Sequence, residues 1–191
     1  GLPLYTQQGN SHQDQAGLDA RLEVTYEGFG RRHELVAGFN YTDSHTKTDT
    51  YRETGGLASR TPFNIYTWNN STGDPVFGAK FYDNDTDIRE RGYYLATRLN
   101  LTDELNLILG SRVSDYDRHY SYVNADAARA IYDLDQSSSK HGVFTPYAGI
   151  TYDLNEQHTL YASYATIFMP QAYRDRNGVM LDPRKGDTFE T

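Results

Sequence analysis

Leu18-Asp19-Ala20-Arg21-Leu22-Glu23-Val24-Thr25-Tyr26 alternates apolar side chains with charged or polar ones. Because successive side chains of an extended chain point to opposite faces, this pattern is typical of a β-strand with one apolar and one polar face. The turn-forming sequence Gly28-Phe29-Gly30-Arg31-Arg32 follows, and residues 35–42 then repeat the alternation. The whole stretch therefore predicts a β-hairpin with a short turn.

The same alternation recurs along the rest of the chain and gives about six strands in all. The further runs lie at residues 93–101, 105–113, 144–153 and 159–168. Short turns at residues 28–32, 102–104 and 155–157 alternate with long connections at residues 43–89, 115–141 and 170–186. A compact soluble domain rarely has three such loops, whereas an outer-membrane barrel has short turns on one side and long loops on the other. The sequence therefore predicts an all-β fold, a segment of a transmembrane antiparallel β-barrel with about six long strands.

Two other folds produce part of this pattern. A soluble antiparallel β-sandwich, for example one that binds carbohydrate, also alternates, but it gives no reason why only every second connection is long. A passive porin or an adhesin-like barrel has the same alternation, so this pattern alone does not exclude either of them. The only helical signal, at residues 124–134, is short and predicts a helical turn inside a loop.

Composition excludes several classes of protein. The chain has 191 residues, no cysteine and a formal net charge of -8, so it offers no disulfide, no thiolate ligand and no basic surface for nucleic acid. It contains neither an apolar run long enough for a transmembrane helix nor a signal peptide. It begins at Gly1 and ends in a strand-like stretch, so we expect cuts at both ends and one partial β-barrel domain over residues 1–191.

One face of the predicted strands is apolar and is expected to contact lipid. Its members are Leu22, Val24, Leu95, Leu99, Leu107, Leu109 and Ile150. The other face is polar and is expected to line the lumen. Three glycines on that face, Gly38, Gly110 and Gly149, would let another part of the protein approach closely, or would only curve the strands.

The sequence contains no motif that predicts catalysis or a metal site. Residues 83–87 begin like a calcium loop, but Ile88 replaces the required glycine and Tyr94 the closing glutamate, so a solvated acidic loop is expected. The six histidines form no pair with the spacing of a helical zinc site, and each is expected at the surface or in a turn. Asp117 and His119 are near enough in sequence to suggest a hydrolase, but too little else supports one, and we expect no enzyme.

The segment at residues 61–70 is the most site-like part of the chain. Tyr66 and Trp68 stand there among asparagines, including Asn69. Exposed aromatic rings can stack on a planar or chelated ligand, and amides can bond to its polar rim; alternatively, these rings pack the loop against itself. Arg112 and Tyr116, near the outer end of the fourth predicted strand, are weaker candidates for contacts with an anionic ligand.

Three stretches of the chain together resemble a known family. They are Gly92-Tyr93-Tyr94-Leu95-Ala96-Thr97-Arg98-Leu99, then Thr145-Pro146-Tyr147-Ala148-Gly149-Ile150-Thr151-Tyr152-Asp153-Leu154, and finally Leu160-Tyr161-Ala162-Ser163-Tyr164 with Met169-Pro170-Gln171 and residues 181–190. They resemble the TonB-dependent siderophore receptors, in the branch that takes coprogen, rhodotorulic acid and pyoverdine. The resemblance covers residues 88–191, and its last stretch is the most specific.

The resemblance implies an importer of ferric siderophores in the outer membrane of a Gram-negative bacterium. Such receptors have a plug inside a barrel of about 22 strands, and an N-terminal TonB box recruits the TonB–ExbB–ExbD complex, which supplies energy. Residues 1–191 are expected to lack the plug, the TonB box and the C-terminal end of the barrel.

The resemblance also sets the expected partners. They are a ferric siderophore, the TonB–ExbB–ExbD complex through parts outside this chain, and outer-membrane lipid. No cofactor and no directly bound metal are expected, since iron enters only as the ferric siderophore. The candidate contacts to that ligand are Tyr66, Trp68, Asn69, Arg112 and Tyr116.

Overall fold

The described part of the chain forms one sheet of seven antiparallel strands. The computed structural model describes residues 6–54, 66–67, 74–171, 173, 175–177 and 181–191. The strands are β1 (Gln7–Gly28), β2 (Arg31–Glu53), β3 (Phe77–Asn100), β4 (Leu105–Asn124), β5 (Leu134–Asn155), β6 (His158–Met169) and β7 (Arg184–Glu190). Each strand lies beside its neighbours in the sequence, so the prediction of an all-β fold with long strands is confirmed.

The three short turns lie where the sequence predicts them. β1 and β2 are joined through Phe29 and Gly30, whose φ angles are both positive, at 53° and 72°. This conformation lets a two-residue turn match the twist of the strands it joins. In the turn between β3 and β4, the backbone N–H of Leu105 donates to Thr102 Oγ1 at 3.0 Å. In the turn between β5 and β6, the backbone N–H of Gln157 donates to Asn155 Oδ1 at 3.0 Å. Such local bonds from side chain to backbone are typical of tight turns.

The long connections are shorter than predicted, because the strands continue into them. The connections are residues 54–76, 125–133 and 170–183, where the sequence predicts 43–89, 115–141 and 170–186. β1 likewise starts at Gln7 rather than near Leu18. β7 adds a strand to the predicted six and pairs with β6 from Ser163↔Glu190 to Met169↔Arg184.

Polar pairs across neighbouring strands explain why alternation does not reveal these extensions. Ser11 Oγ lies 2.7 Å from Thr48 Oγ1, and His45 Nδ1 lies 2.7 Å from Asp87 Oδ1. Both faces of these strand ends carry polar side chains, so the sequence shows no alternation of apolar and polar residues there. Backbone pairing and cross-strand side-chain pairs nevertheless stabilise the strands. The prediction of a solvated acidic loop at residues 83–87 is therefore wrong, since these residues lie inside β3.

His33 is buried, which the sequence does not predict. It is only 3 % exposed, and it lies within β2 rather than at the surface or in a turn. Its Nε2 donates to the Gly28 carbonyl at 2.9 Å, and its Nδ1 accepts from the backbone N–H of Asn100 at 3.1 Å. The ring of Tyr26 packs against it with centroids 5.2 Å apart. One side chain thus links the first hairpin to β3 near the short turns.

The helical turn predicted at residues 124–134 is confirmed as a 3-10 helix, Ala127–Tyr132. It is capped by Asp126, whose carboxylate accepts from the backbone N–H of Ala128 at 3.0 Å. Among the residues that the structure describes, no helix is long and apolar enough to cross a membrane.

The sheet has an exposed apolar face and, in its described part, no buried hydrophobic side chain. A sandwich buries such a face against a second sheet, and the described strands do not have that architecture. Most of the residues expected to contact lipid are exposed: Leu22, Val24, Leu95, Leu109 and Ile150. Leu22 is 63 % and Leu95 is 52 % exposed. Leu99 and Leu107 are half-buried. An apolar face of this extent calls for a nonpolar environment, and contact with lipid stays a prediction.

Two glycines on the opposite face make room for tyrosine rings from the next strand. A Cβ built on Gly38 would lie 2.2 Å from Tyr94 Cζ, and one on Gly110 would lie 2.2 Å from Tyr147 Cζ. We term these two positions the glycine seats. The group that approaches closely is therefore a side chain of the same sheet. At Gly149 a Cβ would meet nothing nearer than 3.8 Å, so that glycine is not a seat.

Gly110→Ala should destabilise the protein, because the new methyl group displaces the Tyr147 ring. Overpacking of this kind typically costs about 1–3 kcal/mol, and we expect a loss of that size in the free energy of unfolding of the whole protein in lipid bilayers. Denaturant titration measures it. Gly149→Ala is the matched control on the neighbouring strand, with an expected change below about 0.5 kcal/mol. Equal losses for the two variants would mean that the seat has no specific role.

Candidate functional site

The sheet divides into two compact units. The first, termed the hairpin-end unit, takes its residues from 1–15, 44–87 and 119–137; the second, termed the turn-side unit, takes its residues from 16–43, 88–118 and 138–191. The hairpin-end unit contains the strand ends next to the first two long connections, and the turn-side unit contains the three short turns. Candidate residues occur in both units.

The predicted ligand contacts fall in different parts of the chain. Tyr66 belongs to the hairpin-end unit, and its side chain is 90 % exposed. Trp68 and Asn69 lie outside the described residues. Arg112 and Tyr116 lie on β4 in the turn-side unit, and both are half-buried. The roles of all five as ligand contacts stay predictions.

Arg112 is held over a third close-packed glycine, Gly92. A Cβ on Gly92 would lie 2.1 Å from a terminal nitrogen of Arg112 and 2.5 Å from Asn40 Oδ1, so only glycine leaves room for these side chains. Arg112 Nε donates to Ser114 Oγ at 2.8 Å. Within the described residues, the buried Asn40 Oδ1 has no hydrogen-bond partner. Arg112 is thus a positioned cation on the same face of β4 as Tyr116.

A cluster in the hairpin-end unit was not predicted from the sequence. Its members, termed the aromatic–arginine cluster, are Arg52, Phe81, Tyr82, Tyr122 and Arg129. The guanidinium carbon of Arg52 stands 3.4 Å from the centroid of the Phe81 ring, and that of Arg129 stands 5.3 Å from it. The rings of Tyr82 and Tyr122 pack with centroids 4.8 Å apart. Both cations lie within the roughly 6 Å over which an aromatic ring attracts a positive charge.

The two arginines of the cluster differ in how far their charge is neutralised. Arg129 Nε lies 3.6 Å from Asp126 Oδ2. Arg52 has no carboxylate partner among the residues that the structure describes, and both side chains are exposed. The cluster therefore presents an uncompensated positive charge beside several ring faces, which suits an anionic ligand that itself carries a planar group.

The phenol of Tyr122 stays uncharged in this setting. Burial raises the pKa of Tyr122 above its ordinary value, Tyr82 and Tyr120 raise it further, and Arg52 lowers it. Because a neutral phenol keeps its proton, Tyr122 can donate a hydrogen bond to an anionic ligand at neutral pH.

The connection that carries Arg129 is tied to the neighbouring strands. Asp133 Oδ1 accepts from the backbone N–H of Asn124 at 2.8 Å and from its side-chain amide at 3.0 Å. The backbone N–H of Ala125 donates to the Phe81 carbonyl at 3.0 Å. The bonds from Asn124, the backbone bond first, hold the pKa of Asp133 below its usual range. The carboxylate is therefore ionised at neutral pH, and its bonds keep Arg129 near Phe81.

Part of the cluster does leave a signal in the sequence. Tyr116, Arg118, Tyr120 and Tyr122 occupy every second position of the sequence. The sequence predicts a loop here, and side chains of a loop are not assigned to two faces, so this alternation did not indicate a site. Arg52 lies near the end of β2, and Arg129 lies in the connection between β4 and β5, so no local pattern relates them. Strand pairing alone brings them to the same ring.

The geometry does not support the hydrolase pair suggested by Asp117 and His119. His119 Nδ1 faces both Ser137 Oγ at 3.1 Å and Asp135 Oδ1 at 3.6 Å, while Asp117 lies 3.4 Å from His141 Nε2. A catalytic relay needs the serine and the carboxylate on opposite nitrogens of the ring. Among the described residues, no group of three or more histidine, aspartate or glutamate side chains could hold a metal ion.

Comparison with known sequences identifies the family of the fold. The family model described as TonB dependent receptor-like, beta-barrel matches residues 1–191. The ferric-pyoverdine 358 receptor of Pseudomonas putida is 37% identical over 183 residues, which cover 93% of this chain and 21% of that protein. The ferrioxamine B receptor of Salmonella typhimurium is 29% identical over 179 residues, which cover 91% of this chain and 22% of that protein.

A solved structure agrees with the sequence comparisons. The ferripyoverdine receptor of the outer membrane of Pseudomonas aeruginosa, bound to ferripyoverdine, matches with a TM-score of 0.76 and 32% identity over 96% of this chain and 23% of that one. This chain thus spans about a fifth of the length of the curated relatives it matches. The family consists of outer-membrane receptors of Gram-negative bacteria rather than enzymes, passive porins or soluble sandwiches. The chain belongs to the TonB-dependent receptor family and is a stretch of its β-barrel.

Proposed function

We propose that the whole receptor binds ferric siderophores and imports them across the outer membrane, with residues 1–191 supplying barrel wall and ligand-facing hairpin ends. The observation that carries the proposal is the match of the entire chain to the TonB-dependent receptor barrel. Relatives named as receptors for ferric pyoverdine and for ferrioxamine B support the same class of cargo. Because these two cargoes differ, the proposal names the class and leaves the individual siderophore open.

The proposal gives each face of the sheet a task. The exposed apolar face, with Leu95 as an example, contacts outer-membrane lipid. The inner face, with Arg112 and Tyr116, lines the lumen. Energy comes from the TonB–ExbB–ExbD complex, which binds parts of the receptor outside residues 1–191. Iron enters only as the ferric siderophore, so the receptor needs no resident cofactor.

The hairpin ends carry the proposed ligand contacts. Tyr66, Trp68 and Asn69 offer rings and an amide, as the sequence predicts. The aromatic–arginine cluster adds the exposed charge of Arg52 and the neutral phenol of Tyr122. An anionic ferric chelate with planar chelating groups would use both, since charge attracts it and ring faces stack on it.

Trp68→Ala in the whole receptor should weaken the binding of ferric pyoverdine about tenfold, which equals about 1.4 kcal/mol, because a stacked ring is lost. Titration of the detergent-solubilised receptor with ferric pyoverdine, and with ferrioxamine B as a second ligand, measures the affinity. Accumulation of radiolabelled iron by cells measures uptake, which should stop when TonB is deleted.

Phe29→Ala is the control for this variant, since it removes an exposed ring from a short turn. It should leave the affinity unchanged. A wild-type receptor that neither binds nor accumulates any ferric siderophore would overturn the proposed function. Unchanged affinity in Trp68→Ala alone would mean that this ring packs against its own loop.

Arg52→Gln should also weaken binding of the ferric chelate, by about tenfold at low salt, since a charge-assisted contact of about 1.4 kcal/mol is removed. The loss should shrink as salt rises, because salt screens exposed charges. Arg129→Gln is the matched comparison on the same ring. Its charge is already partly neutralised by Asp126, so we expect a smaller effect. Equal affinities for wild type and Arg52→Gln at low salt would remove Arg52 from the binding surface.

Leu95→Arg should destabilise the receptor in bilayers by about 2–4 kcal/mol, the cost of a lipid-facing charge near the midplane of a barrel. Val123→Arg is the control, because Val123 is also exposed but lies near the far end of β4, beyond the length that crosses a bilayer. Its expected cost is below about 1 kcal/mol. Refolding into lipid vesicles at several denaturant concentrations gives both values. An unchanged free energy for Leu95→Arg would take Leu95 off the lipid face.

A further inference from the structure

A gap opens between β5 and β6 in the turn-side unit. The pairing of these strands ends at Tyr147↔Ala165, although β6 continues to Met169. The preceding residue of β5 is Pro146, which has no N–H to donate to a backbone ladder. The hydroxyl of Thr166 donates to the Pro146 carbonyl at 3.1 Å instead. The regular ladder therefore stops at this point, and we term the space beyond it the β5–β6 gap.

The β5–β6 gap has a largely apolar lining. Its volume is about 250 Å³. Its apolar side chains are Val143 and Phe144 of β5 and Ile167 and Phe168 of β6, and Lys185 of β7 also lines it. Phe144 and Ile167 are both exposed. The gap therefore offers a nonpolar surface that no other described part of the chain covers.

The gap lies at one boundary of the exposed apolar face. On β3, β4 and β5 this face covers residues 93–101, 105–113 and 144–152. Each run has about the length, roughly 9–11 residues, that a tilted strand needs to cross the hydrocarbon of a bilayer. Arg91 and Asp115, which lie 3.6 Å apart, follow directly beyond it on β3 and β4. Phe144 is the last apolar residue of the face on β5, so the gap lies where hydrocarbon gives way to polar headgroups.

Lys185 belongs to the same face of the sheet as the apolar side chains. It lies directly opposite Phe168 in the pairing of β6 with β7, and residues opposite each other share a face. Phe168 is four residues from Tyr164, which lies opposite Ala148 of the apolar face. Side chains an even number of residues apart along a strand also share a face. The lysine is therefore on the side of the sheet that is proposed to contact lipid.

The charge of Lys185 is available to a ligand. Its side chain is exposed, and it has no ion-pair partner among the residues that the structure describes. The acidic residue of the gap, Asp187, accepts a bond from the Tyr164 hydroxyl at 3.0 Å. Asp182, which lies nearby in the sequence, pairs with Lys140 at 2.6 Å. Both carboxylates are thus already engaged, and a cation remains beside the apolar gap.

We propose that the β5–β6 gap holds part of an acyl chain of a phosphate-bearing membrane lipid, whose phosphate binds Lys185. The apolar lining suits hydrocarbon, and lysine binds phosphate as a point charge. The gap is continuous with the exposed apolar face, so a chain can enter it from the bilayer. Free phosphate would leave the lining uncovered, and a lipid without net negative charge would not use the lysine. The proposal rests on the outer-membrane barrel and does not require siderophore transport.

Photolabelling of the whole receptor in phosphatidylcholine vesicles tests this proposal. The probe is a small fraction of phosphatidylglycerol that carries a diazirine in one acyl chain. Mass spectrometry of the digested receptor should find more label at Phe144 and Phe168 than at Tyr93, an exposed ring at the same boundary of the apolar face. Phosphatidylcholine with the same diazirine should label the gap about fivefold less, because Lys185 does not favour it. Equal labelling of gap and Tyr93, or equal labelling by the two lipids, would overturn the proposal.

Lys185→Gln should lower labelling of the gap by phosphatidylglycerol about fivefold. Arg184→Gln is the matched control, since it removes the same charge from the adjacent residue, which lies on the opposite face and donates to Gln171 Oε1 at 3.3 Å. Equal losses in the two variants would mean that only the overall charge attracts the lipid, and the proposal would be wrong. Inorganic phosphate at matched ionic strength should not reduce the labelling; if it does, the lysine is a site for free anions and the proposal is also wrong.

A second variant tests the apolar part of the site. Ile167→Trp places a larger side chain in the gap and should exclude the acyl chain, so labelling of Phe144 should fall. Leu160→Trp is the control, because Leu160 is exposed on the same strand outside the gap, and it should leave that labelling unchanged. Undiminished labelling of Phe144 in Ile167→Trp would contradict the proposal. Siderophore binding by the same variants is measured separately, so failure of the proposed function does not affect this result.

Discussion

Each backbone N–H and C=O of a strand inside a membrane must bond to a neighbouring strand, because the hydrocarbon offers no water as a substitute. The order β1 to β7 meets this requirement by pairing every strand with the next one along the chain. The pairing of β5 with β6, for example, runs from Tyr147↔Ala165 to Asn155↔His158. Backbone pairing does not depend on the polarity of side chains. The ladder therefore continues into strand ends, such as that of β2, whose two faces are both polar.

A sheet built on this constraint needs no hydrophobic core, and the described part of the chain has none. Its apolar side chains are exposed on one face of the sheet, as Leu22 and Leu95 show. Packing on the inner face is instead achieved by the glycine seats at Gly38 and Gly110, where a tyrosine ring lies against bare backbone. His33 adds polar bonds between the first hairpin and β3 near the short turns. Each of these contacts joins neighbouring strands, so it reinforces the backbone ladder.

Regular strands also hold functional groups in place. At the hairpin ends, the bonds of Asn124 and Asp133 and the contact of Ala125 with β3 keep two arginines over one phenylalanine ring, which suits the recognition of an anionic chelate. At the short turns, pairing of β2, β3 and β4 places Arg32, Arg98 and Asn106 around one cleft. Both groups depend on strand pairing, because it brings together residues that are far apart in the sequence.

The sequence by itself determined the fold class, the apolar face and the short turns, because alternation and turn chemistry are local properties of the chain. The sequence also showed the family resemblance, which residues 88–191 carry, and the comparisons confirm it. Strand ends at Glu53 and Asn124 were not predictable, since polar residues on both faces erase the alternation. Only the tertiary structure decided that His33 is buried, that Arg52 and Arg129 share the Phe81 ring, and that Arg32, Arg98 and Asn106 line one cleft. The physical reason is that pairing between strands, rather than any local pattern, sets which distant residues become neighbours.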